Sequence, residues 1–454
     1  MKFKKAPLLR YSLQFISLVS FILFLANLSY PPGLGNQLLQ WFSRLDPWLL
    51  LSELRWQQEV PYWVWLPLLT LASTLLWGRI FCGWLCPFGA FLALTDTIGR
   101  AVFKFKMLSL TRNKVLHALQ HMQYYWLLFL MIVFVLGSNW VFFLTPFALF
   151  SHEIVRGLQG QVPWMLMGIT AGTLFFSRLW CSVLCPTGIL LSLAAKLRLF
   201  HYRIVGDCVQ CEKCTRACSV GAAPAHTSVV KEGCLTCGNC QRVCPTKAIE
   251  WQRSSWRGRD RQLVPADDVA ATKRKESRRQ FFKAAFTALM AAALWRKTVW
   301  AAEKALRPPG VLPEPEFTAV CNRCGRCIQV CPSKALSPMP ITEGLANFET
   351  PYIIPRRNRC DLCLACQKVC PTGAIAKVPL EKVRMGKAVI DKPRCIAWTE
   401  GKQCLICGEQ CPVLAIEGDE QHRPIVLTDK CVGCGSCENV CPVDGEAAIR
   451  VFPS

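Results

Sequence analysis

The chain contains no G-x-x-x-x-G-K-[S/T] phosphate loop and no G-x-G-x-x-G dinucleotide fingerprint, so the commonest nucleotide-dependent chemistries are excluded. Acid is scarce: 30 Asp and Glu stand against 53 Lys and Arg, a formal net charge of +23. That excess would suit nucleic acid, but the basic residues form no periodic face. They lie beside apolar stretches and among cysteines, and no nucleic-acid partner is expected. What is abundant is apolar side chain, 52% of 454 residues, with a mean hydropathy of +0.26. A single soluble core accounts poorly for that composition, which points to a membrane component. Cysteine is also abundant, 28 in all. So many in short repeated spacings must be disulfides or metal ligands.

Four apolar segments, residues 11–30, 60–81, 123–145 and 163–180, each approach the ~20 residues needed to cross a bilayer. Lys2, Lys4, Lys5 and Arg10 precede the first. Arg100, Lys104, Lys106, Arg112 and Lys114 fill the connection after the second, and Lys196, Arg198 and Arg203 follow the fourth. By the positive-inside rule these ends are cytoplasmic, and the loops 31–59 and 146–162 are external. The second and fourth segments end in CGWLCP (82–87) and CSVLCP (181–186). Cysteines four apart share a helix face, so Cys82, Cys86, Cys181 and Cys185 can converge on a seventh metal site or exchange electrons as thiols.

From residue 208 the pattern changes to ferredoxin spacing. A C-x2-C-x2-C loop wraps three thiolates round one 4Fe-4S core, and the fourth cysteine, on the next helix, reaches the neighbouring core. Crossing the first two arrays gives Cys208, Cys211, Cys214 with Cys244, and Cys234, Cys237, Cys240 with Cys218. The same rule pairs Cys321, Cys324, Cys327 with Cys370, and Cys360, Cys363, Cys366 with Cys331. It then pairs Cys395, Cys404, Cys407 with Cys441, and Cys431, Cys434, Cys437 with Cys411. Six 4Fe-4S clusters are expected. Zinc would bring together two separated C-x2-C knuckles and needs no third cysteine two residues on. Six near-identical quartets are no staple pattern for disulfides either. Each cluster with four thiolates carries about −2, so six bring +23 down to about +11. Arg216, Arg242, Arg323, Arg326 and Lys368 lie inside the arrays, either raising reduction potentials or serving as solvated charge. Short runs such as TKAIEW, TGAIAKV and EAAIRVF look like the brief strands that cover a ferredoxin core.

Between the arrays, SRRQFFKAAFTALMAAALW (277–295) matches an S-R-R-x-F-L-K twin-arginine signal better than an ordinary span, because its apolar part is short. Uncleaved, it becomes a fifth anchor. Such a route exports folded cargo, as a domain already carrying clusters requires.

These motifs carry a resemblance. Residues 1 to about 250 resemble the NapH (MauN-related) membrane ferredoxins, with four helices, two C-x3-C-P motifs and two cytoplasmic clusters. From 277 on, the twin-arginine motif, LRPPG (306–310), TPYIIPR (350–356) and CIAWTEGKQCLICGEQCP (395–412) resemble the exported NapG and MauM ferredoxins. The expected organisation is an α-helical transmembrane bundle over 1–200 and an α+β bacterial-type 2x(4Fe-4S) ferredoxin domain over 201–252. A linker with the internal signal follows over 253–310, and a four-cluster periplasmic domain over 311–454. The resemblance implies an inner-membrane quinol dehydrogenase that uses the membrane quinone pool and passes electrons to a periplasmic multihaem cytochrome or terminal reductase. The alternatives are a cytoplasmic ferredoxin-type donor to the quinone pool, or a redox sensor or maturation factor for a reductase. For quinol protons the candidates are His117 and His121, which could also bind haem, or His152 and Glu153.

Overall fold

A computed structural model describes residues 6–56, 62–103, 114–135, 140–175, 177–205, 208–223, 233–253, 305–314, 316–344 and 346–453. The segment 277–295 lies outside them. The chain divides into two compact units. One comprises Met1–Leu23 and Trp41–Leu294, the other Phe24–Gln40 and Trp295–Ser454.

Among the described residues the first unit is mainly helical up to residue 197. Helix α1 (Ala6–Ala26) is followed by α2 (Leu34–Arg44), which crosses the division between the units, and by α3 (Pro47–Trp56). Next come α4 (Trp65–Trp77), α5 (Ile80–Trp84), α6 (Pro87–Phe103) and α7 (Lys114–Val135). The series ends with α8 (Trp140–Phe143), α9 (Pro146–Leu158), α10 (Trp164–Phe175), a π-turn at Trp180–Leu184 and α11 (Pro186–Ala194). Among the described residues one stretch, Leu9–Ala26, is long and apolar enough to cross a membrane alone. Trp65–Trp77, Gln123–Val135, Trp164–Leu174 and Pro186–Leu197 are apolar but shorter.

The apolar segments read from sequence therefore shift and shorten. The second stops at Gly78, whose φ of +80° ends α4, a backbone conformation glycine adopts without steric cost. The stretches read as external loops are largely helical. α3, α6, α9 and α11 all begin with proline, which suits the first helical position because its missing N–H has no intrahelical partner there. These short helices are held by packing. Trp48 of α3 is buried with Leu127, Leu130, Phe134, Val141, Phe142 and Ile189. Phe150 of α9 stacks on Phe21 at 5.7 Å and meets Phe88 at 5.3 Å.

Strands β1 (Phe200–Ile204) and β2 (Ile249–Arg253) pair antiparallel, Tyr202 opposite Trp251, and so bracket the first two arrays. In the second unit β3 (Leu336–Pro338) pairs with β4 (Pro351–Ile353). β5 (Gly386–Ile390) pairs with β8 (Ile449–Pro453), and β6 (Ile416–Gly418) with β7 (Pro424–Val426). TKAIEW and EAAIRVF thus run into strands, while TGAIAKV contributes an isolated bridge, Val311 to Ile375. Phe24–Gln40 belongs to this unit: Leu28 is buried with Val330, Ala365 and Val369. Asn36 Nδ2 and Gln40 Nε2 both donate to the Lys368 carbonyl, at 3.1 and 2.7 Å.

Candidate metal centres

The array loops are shaped by backbone. In five of the six, the residue before the second cysteine and the residue after it are both left-handed: Gln210 and Glu212, Thr236 and Gly238, Arg323 and Gly325, Leu362 and Leu364, Gly433 and Gly435. Leucine, glutamine and arginine adopt that conformation only under constraint. Alternating hands turn successive N–H groups inward, forming a concavity that favours an anion. Further N–H groups reach sulfur directly: Ala222 to Cys218 and Ala415 to Cys411 at 3.2 Å, Thr236 to Cys234 at 3.3 Å, and Ala448 to Cys441 at 3.4 Å.

Side chains gather in crossed sets. Cys208, Cys211, Cys214 and Cys244 line one cavity, with Cys208 and Cys211 exposed. Cys321, Cys324, Cys327 and Cys370 line another, and Cys395, Cys404, Cys407 and Cys441 a third. Cys218 lies within electrostatic reach of Cys234, Cys237 and Cys240. Cys331 is placed likewise with Cys360 and Cys366, and Cys411 with Cys434. Cys363 interacts with Cys360 and Cys366, and Cys431 with Cys434 and Cys437.

Burial pushes the thiols of Cys234, Cys321, Cys360 and Cys407 up to about 12, and neighbouring sulfurs add to the effect. Such groups give up protons only to a cationic core, as metal loading does. Among the described residues no three His, Cys, Asp or Glu side chains are close enough to hold a single metal ion. A cuboidal core holds its four thiolates apart at its corners. The donor sets and their concavities fit iron–sulfur clusters.

Of the arginines within arrays, Arg323 and Arg326 are buried. Arg323 donates to the carbonyls of Phe348, Cys321 and Ala346, and Arg326 interacts with Cys324 and Cys370. Sequence reading left their burial open.

The C-x3-C-P cysteines are all buried, and the loop Cys234–Cys237 lies directly on the first motif. Trp84 Nε1 donates to Thr236 O at 3.2 Å, Thr236 Oγ1 donates to Trp77 O at 2.7 Å, and a Cβ on Gly83 would meet Leu235 O at 2.4 Å. Arg10, read from sequence only as a flanking charge, and Gln14, not singled out there, both donate from α1 to Gly83 O. Of the quinol candidates, His152 and Glu153 are buried together in α9. His152 Nδ1 lies 3.1 Å from Glu153 Oε1, and Leu166 N donates to Oε2 at 3.0 Å. His117 and His121 fall on α7, with their side chains outside the description.

Comparison with family models matches residues 60–106 and 162–204 to a 4Fe-4S binding domain, and the cysteines in those segments are Cys82, Cys86, Cys181 and Cys185. Residues 320–374 match a 4Fe-4S dicluster domain, while 424–445 and 234–248 each match a 4Fe-4S binding domain. Over 164 residues, 33% of this chain, 38% are identical to the methylamine utilization ferredoxin-type protein MauM of Methylorubrum extorquens, covering 73% of that protein. MauM of Methylophilus methylotrophus is 36% identical over 213 residues, 42% of this chain and 93% of the relative. The ferredoxin-type protein NapG of Escherichia coli is 33% identical over 181 residues, 36% of this chain and 77% of the relative. No solved structure matches.

Proposed function

The chain belongs to the family of ferredoxin-type proteins that includes MauM and NapG, and from that premise we propose a multi-pass, NapH- and NapG-like quinol dehydrogenase. It takes electrons from membrane quinol and passes them through six 4Fe-4S clusters to a periplasmic multihaem cytochrome or terminal reductase. An iron–sulfur electron-transfer protein is what the family establishes; the membrane, the quinol and the side of delivery are the proposal.

One observation carries it: residues 24–40, which leave the C-terminal end of α1, belong to the same unit as the last four arrays. Lys2, Lys4, Lys5 and Arg10 mark the other end of α1 as cytoplasmic. The second unit is then external, and the arrays at 208–244 internal. Phe15 and Ile16 of α1, 66% and 59% exposed, suit lipid rather than water. Outward movement of an electron is assisted by the membrane potential, worth about 2.3 kcal/mol per 100 mV. Quinol must lose two protons as its electrons leave, and the buried His152–Glu153 pair is the acceptor that we assign.

In intact spheroplasts, external protease should digest the second unit. A protected second unit would favour the cytoplasmic donor. Anaerobic quinol should reduce clusters of the purified protein, as followed by electron paramagnetic resonance. No reduction, with thiols that respond to redox poise, would favour the sensor. Glu153→Gln should slow quinol-dependent reduction about tenfold or more while leaving iron content and dithionite reduction unchanged.

A further inference from the structure

Along the chain the last four arrays begin at Cys321, Cys360, Cys395 and Cys431, but the fold strings them together in a different order. Two crossed pairs are present. Cys370 joins Cys321, Cys324 and Cys327 around one cavity, and Cys331 interacts with Cys360 and Cys366. Cys441 joins Cys395, Cys404 and Cys407, and Cys411 interacts with Cys434. Exchange of the fourth cysteine in this way makes the two sites of each pair neighbours. Between the pairs, the array at 360 meets the one at 431. Cys360 N donates to Cys434 O at 3.0 Å, and the two side chains interact electrostatically.

The run TPYIIPR (350–356), which leads into the array at 360, clamps that junction. Arg356 Nη1 donates to Glu438 O at 3.2 Å and to Cys441 O at 2.7 Å, and its Nη2 donates to Val443 O at 2.6 Å. Asn439 Nδ2 donates back to Pro355 O at 3.1 Å. Gly435 has a φ of +81°, and a Cβ there would stand 2.7 Å from Pro355 Cβ, so glycine permits the approach of the two loops. Residues 24–40 cover the first pair. Leu28 is buried with Val330, Ala365 and Val369, and Cys327 and Cys363 pack against that group.

We infer that the four sites of the second unit conduct in single file: the Cys321 set, the Cys360 set, the Cys431 set and last the Cys395 set, with Arg356 as the positioning residue of the Cys360–Cys434 junction. Electron exchange falls steeply with separation, so an order fixed by contact is also the order of conduction. Each step oxidises one site by one electron and reduces its neighbour by one, with no bond made or broken. The external acceptor takes that electron from the Cys395 set. The direction rests on the quinol dehydrogenase reading, because residues 24–40 leave α1 and so place the first pair on the membrane side. The order itself does not depend on it.

The test uses full-length anaerobic protein and four variants, Cys324→Ala, Cys363→Ala, Cys434→Ala and Cys404→Ala, each of which should lose about four iron atoms. Differences from wild type assign the signals. After dithionite reduction, electron paramagnetic resonance reads which sites broaden one another, as close paramagnets do. Cys434→Ala should release both the Cys360 and the Cys395 sets from coupling, whereas Cys404→Ala should alter the Cys431 set alone. An altered Cys321 or Cys360 signal in Cys404→Ala overturns the order, as does an unaltered Cys360 signal in Cys434→Ala. Should those variants fail to accumulate, Arg356→Ala, which keeps every ligand, decides the matter. It should retain its iron and the coupling within each pair but lose coupling between the pairs, and unchanged coupling between them overturns the junction. Dithionite requires no quinol site. The expected couplings in a protein that quinol cannot reduce therefore uphold the order and sink the dehydrogenase reading alone.

Discussion

A single charge beside a redox centre changes how readily that centre accepts an electron. Arg326, buried with Cys324 and Cys370 as neighbours, favours the more negative, reduced form. Arg326→Gln should leave iron content intact and lower that site's midpoint potential by an amount equivalent to on the order of 1 kcal/mol, measured by redox titration. Gly433 tests shape instead. Its φ is +75°, and a Cβ there would stand 2.4 Å from Gly386 N. Gly433→Ala should cost about 1–3 kcal/mol, lowering the melting temperature and the iron held by Cys431, Cys434 and Cys437. At this scale the sequence was highly legible, because ligand spacing is local: three cysteines on one loop need no knowledge of the fold. Arg79 and Arg178, each three residues before a C-x3-C-P motif, were equally visible, but a charge outside a motif gains meaning only once its burial is known.

Elements were harder to read. α2, α3 and α9 passed for loops because helices of 10–13 residues are marginal by themselves and draw their stability from tertiary packing. The available signal was proline at the first helical position of α3 and α9. Asp46, in the turn before α3, illustrates the coupling. Its Oδ1 accepts from Trp48 N at 3.1 Å and from Thr187 Oγ1 at 3.0 Å, a partner far away in sequence. Burial raises its carboxyl to about 6, against the partial offset of these hydrogen bonds. A raised folded-state value means the contribution is complete below the ordinary value of 3.8 and is lost as pH rises through about 6. Thermal unfolding in detergent should therefore show wild type losing on the order of 2–3 kcal/mol between pH 4 and 8 relative to Asp46→Asn. Asparagine can still accept from Trp48 and donate to Thr187.

At the scale of the whole molecule, hydropathy located apolar stretches but could not assign the end of α1 and most of α2 to a unit that is remote in sequence. Leu28 is buried with Val330, Ala365 and Val369, so Leu28→Ala should destabilise the second unit by about 2–4 kcal/mol. Calorimetry should register this as an earlier transition for that unit, with the first unit's transition unmoved. Because residues 24–40 are built into a body whose other residues start at 295, the ribosome makes one piece of that body long before the rest. Were the gene divided in the interval, the early fragment would carry off part of its partner's interior, and two polypeptides would have to meet in equal number to complete it. A continuous reading frame supplies that stoichiometry at every round of translation.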